Sequence, residues 1–321
     1  MPGFIKYLVI TSILLLLMAG LSSLTLVMAI FWGGSLILAA VHLSWKQLLN
    51  LVLFNIILFY LLAGGDVLFY CLAFFGLSAL VMSWLVNRGQ DYYQVQKWGM
   101  AAAVAGVTLF ILVIYAATGQ SGTGEMEKQL NFYLQESMEE FEDSGILELY
   151  EKQGIEREKL ENSMEDMVKT MARYLPAIYY LQAILAAFFM LFLPAFLYRR
   201  ADLERLKKRP YTNEIMPWQL AWVVIIGLAL WLLGRAEMNN LYYAGSNLLV
   251  VMLPVSVYYG LSAVLFKLKR QQAVSRKWYA IALIILSIFF LPSAVIFFSI
   301  IGVFDALLDY RKLRLEKEDG I

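Results

Sequence analysis

Long runs without a charged residue alternate with short charged stretches along this chain. The first run extends from Tyr7 to Leu43, whereas a helix crossing the roughly 30 Å hydrocarbon layer needs only about 20 apolar residues. A Gly-Leu-Ser-Ser sequence at residues 20–23 marks a turn inside this run. The pattern therefore predicts a helical hairpin, about Ile5 to Ala19 and Leu24 to Val41.

Further apolar segments of membrane-spanning length follow the hairpin. They are Leu48 to Ala63, Val67 to Val86, Trp98 to Thr118, Leu175 to Tyr198, Pro217 to Leu233 and Asn247 to Phe266.

The last apolar run, Trp278 to Phe304, carries Pro292 in its middle and can be one long kinked helix or a tight helical hairpin. Basic residues flank the run on both sides, and cytoplasmic loops are enriched in Lys and Arg. A hairpin returns the tail to the side of the preceding basic loop, so the pattern favours ten membrane segments over nine.

Composition excludes a purely soluble protein. Hydrophobic residues make up 61% of the chain, charged residues 16%, and the mean hydropathy is +0.66, whereas an average soluble protein is about 25% charged. We expect an all-α fold, a polytopic helical membrane bundle of about nine or ten segments, with a small extracytoplasmic helical insert.

The distribution of basic residues indicates the orientation. With the amino terminus inside, most Lys and Arg fall on the cytoplasmic side, notably in Arg199 to Arg209 and Lys267 to Lys277, and most acidic residues fall outside. The positive-inside rule therefore predicts a multi-pass membrane protein with both termini in the cytoplasm.

An acidic insert interrupts the spans between Gly119 and Arg173. Its apolar residues recur at helical spacing, which predicts amphipathic helices that rest on the membrane domain, and its last helix is expected to continue toward the sixth span with an interruption near Pro176. The predicted domains are a membrane bundle at 1–118, the insert at 119–173, a second bundle at 174–308 and a charged cytoplasmic tail at 309–321.

A few polar residues near or within the spans are candidate ligand contacts, because polar groups are costly in a bilayer. They are Asp66, Arg235, Glu237, Asn50 and Asn55. The alternative for Asp66 is an N-cap, and for the two asparagines it is hydrogen bonding between helices.

Other polar and small residues are assigned to the surface or to packing. Asp305 and Asp309 lie four residues apart beside two bases, which is typical of surface ion pairs. Gly99, Ala102, Ala103 and Gly106 form a small-residue face that predicts a close helix contact. Basic residues that can hold anionic lipid headgroups are Arg199, Arg200, Lys207, Lys208 and Arg209.

The sequence contains few residues that could form a catalytic or metal-binding site. The chain has one cysteine, Cys71, and one histidine, His42, and it lacks nucleotide-binding loops and hydrolase motifs. We expect no enzyme activity, no cofactor and no metal, and the net charge of +1 predicts no nucleic acid partner.

Several short motifs occur together in the chain. They are the series Leu147, Tyr150, Gly154, Ile155 and Leu160; Tyr174-Leu175-Pro176-Ala177; Met216-Pro217-Trp218; and Gly302-Val303-Phe304-Asp305 with Asp309, Tyr310 and Arg311. Taken together, these motifs resemble the YybS-like family of bacterial multi-pass membrane proteins. More remotely, that family is similar to the substrate-binding subunits of energy-coupling factor transporters. The resemblance implies a helical membrane domain that binds a small molecule or serves as a subunit.

Two functions are therefore expected. The first is a small-molecule-binding or transport-related membrane subunit, with a cavity of a few hundred Å³ among the spans. The alternative is a non-catalytic scaffold or envelope-assembly protein that binds a membrane protein partner through the acidic insert and the basic loops.

Overall fold

A computed structural model of the protein describes residues 2–118, 132, 144, 157–197, 206–235 and 238–313. These residues form helices joined by short connections, with no strand in the described part of the chain. The chain divides into two compact units, unit 1 (Met1–Lys208) and unit 2 (Arg209–Ile321). The helix Arg157–Leu197, which contains the predicted domain boundary at residue 174, packs within unit 1.

The described residues of unit 1 form six α-helices and a short π-helical turn. They are α1 (Pro2–Gly20), α2 (Thr25–His42), α3 (Trp45–Cys71), the π-helical turn (Leu72–Gly76), α4 (Leu77–Asn87), α5 (Tyr92–Thr118) and α6 (Arg157–Leu197). The turn between α1 and α2 is a 3₁₀ helix, Ser22–Leu24, at the place where the sequence predicts one.

Gly64 breaks α3 into two spans. The helical run Trp45–Asn87 has 43 residues, which as a straight helix would be about 65 Å long, twice the thickness of a bilayer core. Gly64 has φ 81° and ψ 176°, a conformation that residues with a Cβ atom rarely adopt. The break separates the two predicted spans, Leu48 to Ala63 and Val67 to Val86.

Small residues bring the helices of unit 1 close together. A side chain at Gly106 would collide with the carbonyl oxygen of Ala73, and a side chain at Gly99 would collide with Met82. On α2, a Cβ atom at Gly33 would lie 2.5 Å from the sulfur of Met190 on α6. The predicted small-residue face of α5 is therefore confirmed as a close contact, with α4 and the π-helical turn.

Helix α6 is continuous through Pro176 and Pro194. The predicted interruption near Pro176 is wrong. A proline inside a helix removes one backbone hydrogen bond, and a membrane helix packed against neighbours tolerates that loss. The remaining predicted helices of the acidic insert lie outside the described residues.

In unit 2 the described part of the chain forms four α-helices, α7 (Trp218–Gly234), α8 (Asn239–Lys269), α9 (Ala273–Phe289) and α10 (Leu291–Leu308), preceded by a 3₁₀ turn, Tyr211–Asn213. Helices α8 and α10 cross closely at Gly260 and Gly302, where a Cβ atom on either glycine would meet the backbone of the other helix. The Ser256 and Ser299 hydroxyl groups lie 2.7 Å apart at the same crossing.

The contacts between α8 and α10 show that these helices run parallel. Ser256 meets Ser299, and about one turn further along both helices Gly260 meets Gly302. Helix α9 connects the end of α8 to the start of α10, so it runs in the opposite direction and the chain reverses at Phe290, just before Pro292. The final apolar run is therefore a hairpin, as the charge pattern favours.

Seven helices of the described part are long and apolar enough to span a membrane. Helices α7 and α9 are shorter apolar helices, and the break at Gly64 divides the longest candidate into two. These segments form a polytopic helical membrane bundle, which confirms the predicted fold class.

Candidate functional site

A buried hydrogen-bond network joins α1, α2 and α3 in unit 1. The indole N–H of Trp32 donates to Oδ1 of Asn55 at 3.1 Å, and Nδ2 of Asn55 donates to Oγ1 of Thr11 at 3.1 Å and to the Leu51 carbonyl at 2.6 Å. The Thr11 hydroxyl in turn donates to the Tyr7 carbonyl at 2.9 Å. Asn55 and Thr11 are 1% and 0% exposed, so their polar atoms are satisfied inside the protein, as an apolar environment requires.

A small cavity of about 20 Å³ adjoins this network. Its lining is almost entirely apolar, and Asn55 is the amide in its wall. The other lining residues are Leu15, Met18, Trp32, Ile56, Phe59, Leu68, Cys71, Leu72 and Phe75. This volume is about that of one water-sized sphere. The cavity of a few hundred Å³ that a preformed solute site requires is therefore not present in this part of the bundle.

The cavity wall is built from an irregular stretch of helix. Ile56 and Phe59 precede the break at Gly64, Leu68 follows it, and Leu72 belongs to the π-helical turn. Such turns and broken membrane helices recur at functional sites. The irregular backbone and the buried amide thus converge on the same cavity.

Aromatic residues pack behind the π-helical turn. Phe74 contacts Tyr70, Phe110 and Tyr179 with ring centroids 4.3, 5.1 and 5.2 Å away. Nε2 of Gln182 donates to the Tyr70 hydroxyl at 2.9 Å. These contacts fix the turn against α5 and α6.

The other predicted ligand contacts do not join Asn55 in the cavity wall. Asn50 and Asp66 are exposed. Arg235, in unit 2, is exposed, and its guanidinium lies 3.7 Å from the centre of the Trp231 ring. Glu237 lies outside the described residues.

Two of the predicted lipid-contacting residues, Arg199 and Arg200, also lie outside the described residues. Lys207 and Arg209 are exposed. The ammonium of Lys208 lies 5.6 and 4.9 Å from the ring centres of Phe188 and Phe192 on α6. This cation–π arrangement is compatible with a position at the membrane surface.

Unit 2 contains a buried ionic cluster around Arg311. Arg311 is 4% exposed and Asp305 is 1% exposed. Nη2 of Arg311 lies 2.7 Å from Oδ2 of Asp305, and Nε lies 3.2 and 3.1 Å from the two carboxylate oxygens. The predicted ion pair between Asp305 and a neighbouring base is therefore present, but its predicted location at the surface is wrong. The chain turns back at Asp309, which has φ 44°, and this reversal carries Arg311 inward.

The short segment before α7 completes the cluster. Nη1 of Arg311 donates to the Thr212 carbonyl at 2.7 Å and to the Ser262 hydroxyl at 3.1 Å, and Nη2 donates to the Glu214 carbonyl at 2.6 Å. The Tyr258 hydroxyl donates to the carboxylate of Glu214, which is 6% exposed. One guanidinium thus ties together the end of α10, α8 and residues 211–214.

Tyr211 belongs to the same cluster, and its hydroxyl donates to the Tyr258 carbonyl at 2.6 Å. Burial and the nearby Glu214 carboxylate together raise the pKa of Tyr211 to about 12, although Arg311 acts in the opposite direction. Tyr211 therefore carries a proton at neutral pH and acts as a donor.

Sequence reasoning did not find Glu214 and Tyr258 as members of a site. Glu214 is an acidic residue just before an apolar span, and Tyr258 resembles an interfacial tyrosine. The sequence signal for Glu214 was its position just before Met216-Pro217-Trp218. That position does not show that Tyr258 is its hydrogen-bond partner.

The described residues contain no group of three or more His, Cys, Asp or Glu side chains that could hold a metal ion. Among the described residues, a neutral network joins α1, α2 and α3, and an ionic network lies at the end of the α8–α10 pair. Together with the helices described above, they define an integral multi-pass membrane protein.

The family of this protein follows from comparison with known families. A family model described as "Predicted membrane protein (DUF2232)" matches residues 9–306, and the chain belongs to that family. No curated protein and no solved structure matches the chain.

Proposed function

We propose that the protein is a small-molecule-binding membrane subunit whose site is the cavity beside Asn55 in unit 1. The observation that carries the proposal is the convergence of a buried amide, a break in α3 and a π-helical turn on one apolar cavity. Ligand sites in membrane proteins commonly combine an apolar lining with few polar groups and an irregular backbone.

The cavity has to widen before it holds more than a water-sized molecule. Gly64 supports such a movement because nothing lies within 4 Å of the position of a Cβ atom there, and its φ of 81° is unstrained for glycine. Met18 in the cavity wall can change rotamer at low cost. Ligand binding is therefore coupled to motion of the α3 segment beyond Gly64.

Chemical analysis of molecules that co-purify with the protein tests this proposal. The full chain is extracted into nanodiscs with its native lipids, and bound small molecules are identified by mass spectrometry. We expect a molecule that is retained by the wild type and lost from Asn55→Leu.

Two further variants keep this test decisive. Asn50→Leu changes an exposed amide on the same helix and should retain the molecule. Cys71→Met fills the cavity without touching the hydrogen bonds of Asn55 and should lose it. Identical contents in all four proteins would refute the proposal.

A second candidate function, a scaffold that holds a protein partner, is favoured by the small volume of the cavity. It predicts that deletion of residues 120–156 abolishes crosslinking of a specific membrane protein in native membranes while the spans still fold. Retention of the same crosslinked partner after this deletion would exclude the insert as its binding surface.

The proposed location is the bacterial plasma membrane with both termini in the cytoplasm, and the distribution of Lys and Arg supports it. A tag in the acidic insert should be accessible from outside the cell. Access from the cytoplasm alone would reverse the proposed orientation.

A further inference from the structure

The residues that line the cavity beside Asn55 carry no formal charge. None of them is Asp, Glu, Lys, Arg or His. Moving an ion from water into such a place without a partner of opposite charge costs several kcal/mol or more. The cavity therefore selects against anions, cations and zwitterions.

The side-chain amide and indole groups in the cavity wall already have hydrogen-bond partners, apart from one acceptor position. The Trp32 indole has one donor and no acceptor, so the amide atom that faces it must be the Asn55 oxygen. Both N–H groups of the amide are engaged, with Thr11 and Leu51. One lone pair on Oδ1 of Asn55 is left, because a carbonyl oxygen accepts two hydrogen bonds and Trp32 supplies one.

Apolar surface dominates the remaining wall. Trp32, Phe59 and Phe75 supply aromatic surface, and Leu15 and Met18 supply aliphatic and thioether surface. Affinity in such a place comes from buried hydrocarbon and from dispersion contacts.

We infer that the ligand of this site is an uncharged, mainly hydrocarbon molecule with a single hydroxyl or N–H group that donates to Oδ1 of Asn55. The inference rests on the proposed function and names the chemical class of its ligand. A membrane-soluble alcohol fits this description, whereas an amino acid, a carboxylate or a phosphorylated compound does not.

Cys71 provides a direct readout because it lines the cavity and is the single cysteine of the chain. The rate at which N-ethylmaleimide labels Cys71 is measured in nanodiscs with four probes of similar size. These are benzyl alcohol, toluene, benzylammonium and benzoate.

We expect benzyl alcohol to protect Cys71 most strongly. Its half-protecting concentration should be about two- to tenfold lower than that of toluene, which corresponds to one neutral hydrogen bond. Benzylammonium and benzoate should give no protection at concentrations where toluene does. In Asn55→Leu, benzyl alcohol and toluene should protect equally.

A control cysteine separates binding from a general effect on the bilayer. Ser83 is buried, at 1% exposure, and is not among the cavity-lining residues, so labelling of Cys71→Ser/Ser83→Cys should not depend on any probe.

The outcomes separate the two proposals. Protection by benzoate or benzylammonium as strong as that by benzyl alcohol would contradict the proposed ligand class but would still support the site. Protection by none of the four probes, or equal protection of the control cysteine, would overturn the site itself. The comparison among probes uses the unmodified chain and does not depend on how well any variant folds.

Discussion

The two units contain buried polar networks of different chemistry, one neutral and one ionic. In unit 1, Asn55 joins three helices through neutral hydrogen bonds and borders a cavity. In unit 2, Arg311 joins three elements through charged hydrogen bonds, and Asp305 provides the opposite charge. Both networks satisfy buried polar atoms, yet the neutral one alone borders the described cavity.

This difference indicates different roles. A buried charge whose partner is removed is costly, so a network built on Arg311 favours one fixed arrangement. Neutral amide bonds contribute less each and can be exchanged for bonds to a ligand at smaller cost. We therefore expect the Asn55 network of unit 1 to rearrange more easily than the Arg311 network of unit 2. Substitutions in both networks test this expectation.

The largest effect is expected for Arg311→Ala. This change leaves the Asp305 carboxylate and the Thr212 carbonyl without the guanidinium that donates to them, and we expect unit 2 to lose about 3 to 5 kcal/mol of unfolding free energy. Equilibrium unfolding in detergent micelles measures it. The neighbouring exposed base is the control, and Lys312→Ala should cost less than about 0.5 kcal/mol.

The double variant Arg311→Leu/Asp305→Leu should be more stable than Arg311→Ala, because it removes both charges and adds apolar volume. The single variants Arg311→Leu and Asp305→Leu are measured as references. If the double variant lost as much unfolding free energy as the two single variants together, the unpaired charge would not be the main cause of destabilisation.

A smaller effect is expected for Asn55→Leu. The substitution leaves the Trp32 indole N–H without an acceptor, and we expect a loss of about 1 to 3 kcal/mol in the same measurement. Asn50→Leu, on the exposed side of α3, should change stability by less than about 0.5 kcal/mol. A loss in Asn55→Leu as large as that in Arg311→Ala would remove the contrast between the two networks.

The ionic network also predicts a pH dependence. Burial and the Glu214 carboxylate raise the pKa of Tyr211 from 10.0 to about 12, so the folded state binds this proton more tightly than the unfolded state does. Its contribution to stability is present below pH 10.0 and is lost as the pH rises through about 12. The titration of Tyr211 is followed as the difference in tyrosinate absorbance between the wild type and Tyr211→Phe. A midpoint at the ordinary tyrosine pKa would show that the Tyr211 hydroxyl is exposed to water.

The smallest effect is expected at the exposed ion pair of α6. Nζ of Lys169 lies 3.2 Å from the Glu165 carboxylate, with side chains 45% and 52% exposed, and such pairs contribute about 0.3 to 0.5 kcal/mol. Glu165→Ala should therefore be almost silent in thermal unfolding, and added salt should abolish the difference. A loss comparable to that of Asn55→Leu would show that exposure does not decide the strength of ion pairs in this protein.

The positions of the spans could be predicted because each is encoded locally. The Gly-Leu-Ser-Ser turn, the glycine pair before Asp66, and the proline in the final apolar run each act on the residues beside them. The parallel packing of α8 and α10 then confirmed the hairpin that charge favoured.

The partners within the two networks could not be predicted in the same way. Asp305 pairs with Arg311 six residues later because Asp309 between them adopts a left-handed conformation, and no helical periodicity indicates that turn. Thr11, Trp32 and Asn55 are far apart in the chain and meet through packing of three helices. Of the predicted ligand contacts, Asn55 is the described residue that borders the cavity, because its side of α3 faces the neighbours.

The reversal at Phe290 has a practical consequence for experiments on living cells. Since α8 and α10 point the same way, a reporter inserted at Gln271 and a reporter fused after Leu313 should emerge in one compartment. Opposite readings from these two fusions would signal that the fused domain itself had disturbed insertion of the last two helices.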